Sequence, residues 1–174
     1  MEGSITMKRI FMLAVALACV LAAVHPAPAQ DLASQVVGIW KLKTFERKAL
    51  ADGKTAKLYG EKPAGYFHYS KGGHFATVGV GEGRKVPPGG VSKTTEAEKA
   101  ALFNSMYAYA GTYRVEGETM TISVDATWNH DWAGANLVRK ISILGKTLTI
   151  ETPPFKSNID GSDVVVISTF ERVE

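Results

Sequence analysis

The chain has 174 residues, 45% of them hydrophobic and 21% charged, and its 20 Lys and Arg stand against 17 Asp and Glu for a formal +3. These proportions are those of an ordinary globular domain and exclude collagen, disorder and a polytopic membrane protein. A charge this small and this scattered is not the electrostatic footprint of nucleic-acid binding. Cys19 is the only cysteine, which excludes an intramolecular disulfide and a multi-Cys zinc site.

In chain order, residues 1–29 come first. Lys8-Arg9 precede an apolar run over residues 10–24, and Ala27-Pro28-Ala29 supplies small residues at the usual cleavage spacing. This three-part pattern reads as a secretory signal peptide. The run is shorter than the ~20 residues a membrane-spanning helix needs, and Pro26 and Pro28 interrupt it. Ala16-Leu17-Ala18 before Cys19 matches the Leu-first lipoprotein pattern poorly. Cleavage after Ala29 leaves Gln30 as the mature N-terminus of one Cys-free domain over residues 30–174, expected to be periplasmic or secreted, with no stable membrane insertion.

From Gly38 onward the dominant period is two. Trp40, Leu42 and Thr44 alternate with Lys41, Lys43 and Phe45, as a half-buried strand requires. Residues 65–70 and 74–80 are β-rich runs joined by Lys71-Gly72-Gly73, a hairpin signal. Residues 109–116 and 120–128 follow across Gly117-Glu118, and the second places Met120, Ile122, Val124, Ala126 and Trp128 on one face. Residues 137–143 and 148–152 flank Gly145-Lys146, and 164–173 close the chain. Eight or nine short strands with hairpin-length links predict an all-β antiparallel barrel or sandwich.

One segment breaks the period. Thr95 and Glu98 form a capping box, so a short helix is predicted there, with Ala100, Phe103, Met106 and Tyr107 on one face that wants burial. Before it, residues 79–90 carry five glycines and Pro87-Pro88. Loop and helix together are expected to cover one barrel mouth, either as a gate for a ligand or as a fixed plug.

The motifs along the chain are similar to those of the bacterial and fungal lipocalin-like domain family. The resemblance runs in order through Gly38-Ile39-Trp40, Pro63-Ala64-Gly65-Tyr66-Phe67-His68-Tyr69, Tyr107-Ala108-Tyr109-Ala110-Gly111-Thr112-Tyr113, Trp132-Ala133-Gly134 and Val138-Arg139. It continues through Leu148-Thr149-Ile150-Glu151-Thr152-Pro153-Pro154 and Phe170-Glu171-Arg172. It implies a calycin-type barrel with an internal cavity, and it makes Trp40 and Arg172 a structural pair in which a last-strand guanidinium covers a first-strand indole. Many relatives carry His where this chain has Ile122-Ser123, Pro at His130 and Gln at Leu137, which implies a more apolar interior here.

Arg139 shares a strand face with Leu137, Ile141 and Ile143. On an apolar face an arginine must find a partner or reach water. It is an anchor for an anionic ligand group, half of a structural salt bridge, or an arginine at the barrel mouth with its stem buried. Tyr109 and Tyr113 share one alternation, whereas Tyr66 and Tyr69 differ in parity, so at most one of the latter pair faces inward. With Trp132 and His74, the residues Arg139, Tyr109, Tyr113 and Tyr69 form the expected ligand-binding set. His68, His74, His130 and Asp131 lack the spacing of paired metal ligands. No serine elbow, dinucleotide fingerprint or phosphate loop is present, so no metal and no cofactor is expected.

The expected function is binding of a small, mostly apolar or amphipathic molecule in the barrel. The alternative is an isomerase, cyclase or hydrolase using His74, a tyrosine and Arg139 in the same cavity. Export makes a direct prediction: intact-mass measurement of protein from the periplasm or medium should place Gln30 at the N-terminus. A retained Met1 in the cytoplasm, or a lipid on Cys19, contradicts it.

Overall fold

The computed structural model describes residues 31–174 apart from Val86, Asn158 and Ile159; the expected signal peptide lies outside the described residues. Ten strands run in the order β1 (Gly38–Ala49), β2 (Thr55–Lys57), β3 (Ala64–Tyr69), β4 (His74–Val80), β5 (Met106–Glu116), β6 (Thr119–Thr127), β7 (Asn136–Leu144), β8 (Thr147–Glu151), β9 (Phe155–Lys156) and β10 (Asp163–Arg172). The sheet order is β2-β1-β3-β4-β5-β6-β7-β8-β10-β9, and a further β1–β10 pairing closes it. Every pairing is antiparallel. The result is an eight-stranded closed barrel with two short extra strands, β2 and β9, added beside it.

Alternation is cleanest on β3 and β4, where Phe67, Tyr69, Phe75 and Thr77 are buried between exposed neighbours. Two bulges reset it elsewhere. On β1 the pairing with β10 shifts between Leu42 and Thr44. The extra residue sends Phe45 to the interior, so the expected grouping of Thr44 with Trp40 and Leu42 holds only as far as Leu42. On β6 the register shifts opposite Ala110 and Gly111. Met120, Ile122 and Val124 are buried, but Ala126 is exposed and leaves that face.

One end is sealed. A four-residue helix, α1 (Leu32–Gln35), lies against it, with Asp31 as N-cap accepting from the Ala33 amide at 3.2 Å. The Trp40 indole N–H donates to the Val36 carbonyl at 2.7 Å, and the Arg172 guanidinium carbon sits 4.1 Å from the indole centroid. Arg172 also donates to the carbonyls of Val37, at 2.9 Å, and of Gln35. Those are acceptors that the end of a helix leaves unpaired. Gly38 makes the approach possible: its φ is +132°, and a Cβ there would lie 2.3 Å from the Glu174 carbonyl oxygen.

The predicted helix is present as α2 (Glu96–Asn104), with both arms of the capping box formed by Thr95 and Glu98. It ends sooner than its sequence pattern suggests. Met106 and Tyr107 belong to β5, and Phe103 remains 49% exposed. The i, i+3, i+6, i+7 spacing therefore joins two different elements, and the apolar demand of Tyr107 is met inside the barrel rather than by the helix. Among the described residues no helix is long and apolar enough to cross a bilayer.

Arg172→Met should lower the unfolding free energy by about 2–4 kcal/mol, since it removes a cation–π contact and strands carbonyl acceptors. Lys43→Met, which breaks the exposed pair with Glu171 on the neighbouring strand, should change it by less than about 0.5 kcal/mol. Equal effects in urea denaturation contradict the sealing role.

Candidate functional site

The β1 bulge that turns Phe45 inward opens the other half of the barrel. Here a cavity of about 570 Å³ is lined by Phe45 from β1, Leu58 and Tyr59 just after β2, and Tyr107 and Tyr109 from β5. Trp128, Asn129 and Trp132 close one side, Leu137 and Arg139 come from β7, and 152–155 with Val166 and Ser168 complete the wall. The size is that of a small-molecule site. Two glycines allow close approaches on β3 and β4: at Gly65 a Cβ would lie 2.4 Å from the Val78 carbonyl oxygen. Gly65 and Gly79 are paired across β3 and β4, and the Tyr107 ring lies over Gly79 where a Cβ would come within 2.3 Å of it.

The aromatic wall is ordered by ring contacts. Trp128 and Trp132 meet edge to face at 4.9 Å and 90°, Trp132 meets Tyr109 at 5.5 Å and 88°, and Phe45 meets Tyr59 at 5.0 Å and 67°. A 3-10 turn over His130–Trp132, capped by the Asn129 side chain accepting from the Asp131 amide at 3.1 Å, holds Trp132 in place.

Among the described residues of this lining Arg139 alone carries a formal charge. It sits on the inward face of β7 and donates to the Val138 carbonyl at 2.7 Å. None of the ion pairs among the described residues includes it, so the salt-bridge alternative is not realised. Burial lowers its pKa below the ordinary guanidinium value, and the nearby Tyr109 and Tyr69 phenols work in the opposite direction. The group stays charged at neutral pH. A guanidinium has five N–H donors, and the protein offers this one little to bond to.

The expected set therefore divides. Arg139, Tyr109 and Trp132 line the cavity together. Tyr69 faces inward, as the parity of β3 allows for one of the two tyrosines, but it is fully buried below the cavity, and its hydroxyl has no hydrogen-bond partner. Tyr113 belongs to the sealed end, where its hydroxyl donates to the Ser70 carbonyl at 2.8 Å. His74 is a correction: it starts β4 on the outward parity, is exposed, and cannot reach the interior. His130 and Asp131 are exposed, and among the described residues no three His, Cys, Asp or Glu side chains gather as a metal site needs.

Phe45, Tyr59 and Tyr107 are lining residues outside the expected set, and Trp128, expected on the apolar face with Met120, Ile122 and Val124, does line the cavity. Tyr107 was assigned to the helix and Phe45 to the outer face, whereas nothing in a period-two pattern marks Tyr59, which follows a three-residue strand. The expectation of a gate over residues 79–90 and α2 also needs correcting. Among the described residues none between 79 and 105 lines this cavity; a separate space of about 490 Å³ is lined by Glu82, Arg84, Glu98 and Leu102 among others.

This chain belongs to the lipocalin-like domain family, whose pattern matches residues 37–173. Among solved structures it is similar to a lipocalin-like protein from Bacteroides uniformis ATCC 8492, at 16% identity and a TM-score of 0.41, over 78% of this chain and 96% of that one. No curated protein matches it significantly.

Burial pushes the Tyr109 phenol up to about 12 and raises Tyr69 and Tyr107 in the same direction. An unfolded phenol loses its proton near pH ~10. The unfolded state thus releases protons first, and stability falls as pH rises from about 10 towards about 12. Urea midpoints at about pH 9 and about pH 11.5 should differ, and Tyr109→Phe should shrink the difference. A midpoint independent of pH across that window contradicts the burial of these phenols.

Proposed function

We propose that the barrel binds a small, largely apolar molecule carrying an anionic or strongly polar end, with Arg139 as its anchor, and that the mature chain does so outside the cytoplasm. The observation that carries this reading is a guanidinium on the wall of an apolar cavity without a carboxylate beside it. Leaving such a charge unmatched costs several kcal/mol. A ligand carboxylate would meet it with charge-assisted, bidentate hydrogen bonds. The family supports ligand binding in general. Binding is favoured over catalysis by the makeup of the wall, in which the described residues include no carboxylate, imidazole, thiol or amine and the phenols of Tyr107 and Tyr109 are held protonated by burial.

Titration with a fluorescent fatty acid and with its methyl ester tests the anchor. Arg139→Met keeps most of the stem volume and removes the fork, so the acid should bind about 1.5–3 kcal/mol more weakly, roughly ten- to 150-fold. The ester should change little. Equal affinity of wild type and variant for the acid, with the fold intact by circular dichroism, removes Arg139 from the site.

A further inference from the structure

We infer that the anion belongs to a flat, conjugated ring system, so that the ligand class is an aromatic carboxylate rather than a saturated fatty acid; this rests on the anchored reading above.

The shape and chemistry of the wall carry the inference. Eight aromatic side chains line the cavity, among them Phe45, Tyr59, Tyr107, Tyr109, Trp128 and Trp132. Four of their contacts are steep, 67° for Phe45 with Tyr59, 61° for Tyr107 with Trp128, 90° for Trp128 with Trp132 and 88° for Trp132 with Tyr109, and Tyr107 is tilted at 35° to Phe45, 46° to Tyr59 and 49° to Tyr109. Such an array presents faces and edges by turns. A flat guest can then lie against a face on one side and meet an edge on the other, the two geometries that the ring quadrupole favours. A saturated chain gains neither, and it must freeze its rotors in a rigid slot, whereas a fused ring has none to freeze.

Hydrogen-bonding capacity points the same way. The lining carries indole N–H groups on Trp128 and Trp132, phenol hydroxyls on Tyr59 and Tyr109, and the Arg139 guanidinium. None of those indoles or phenols hydrogen-bonds to another described residue. Indole and guanidinium only donate; of the wall's remaining hydroxyls Thr152 accepts from the Val166 amide at 2.9 Å and Ser168 lies 3.4 Å from the Ile150 carbonyl, whereas the Tyr107 hydroxyl has no partner. The matching guest is a negatively charged, oxygen-bearing ring compound that accepts more hydrogen bonds than it donates.

The test is isothermal titration of the purified protein with three probes: 9-anthracenecarboxylate, 9-anthracenemethanol and dodecanoate. The aromatic acid should bind at least about tenfold more tightly than dodecanoate, and the aromatic alcohol should fall well below the acid. Trp132→Leu should weaken the aromatic acid about three- to tenfold and leave dodecanoate unchanged. The wild-type ratio alone decides the matter if that variant does not fold. Dodecanoate binding as tightly as the aromatic acid, while Arg139→Met weakens it, overturns the aromatic class and leaves the anchor standing. If Arg139→Met changes the affinity of neither acid, the anchored reading has failed and this inference falls with it.

Discussion

Closure of the barrel depends on the pairing of the first strand with the last, and that seam is fastened at one end by Arg172 lying over Trp40. The guanidinium does two things at once. It stacks on an indole whose own N–H is tied to Val36, and it satisfies carbonyls at the end of α1. With that end sealed, Leu42, Phe67, Tyr69, Met120 and Phe170 pack into a continuous buried core. The opposite half has no such plug, and the β1 bulge delivers Phe45 to a space that the chain leaves unfilled.

Two arginines on inward-facing positions therefore have different fates. Arg172 is surrounded by main-chain acceptors, so its burial is offset by hydrogen bonds and a ring face. Arg139 has the Val138 carbonyl and a set of aromatic neighbours. The protein tolerates this because the guanidinium keeps access to solvent. Buried hydroxyls on Tyr69, Thr77 and Tyr107 add to the polar strain of the same region; Tyr107 lies beside Thr77 without the alignment of a hydrogen bond. Each unsatisfied group costs on the order of 1–3 kcal/mol.

Much of this was legible in the sequence. Period-two alternation and glycine turns located the eight barrel strands, the Trp40 and Arg172 pair followed from the resemblance, and the parity of β7 alone put Arg139 inside with Leu137, Ile141 and Ile143. The failures have physical causes. A bulge inserts one residue and inverts every later side chain, which hid Phe45 and broke the run that ends at Trp128. A capping box marks where a helix starts, but nothing equivalent marked its end, so Met106 and Tyr107 were carried one element too far. Parity separated Tyr69 from Tyr66, yet it could not tell how far along the barrel Tyr69 and Tyr113 lie, and depth is what removes both from the cavity wall. His74 drew attention for its chemistry, while its alternation with buried Phe75 already argued that it points outward.

The central proposal is that the Arg139 guanidinium docks an anion. A crystal structure of the protein with 9-anthracenecarboxylate tests it most directly. The account predicts both carboxylate oxygens within hydrogen-bond distance of the Arg139 nitrogens, about 2.7–2.9 Å, with the rings against Trp132. A carboxylate found at the solvent rim, with Arg139 bonded only to Val138 as before, contradicts it.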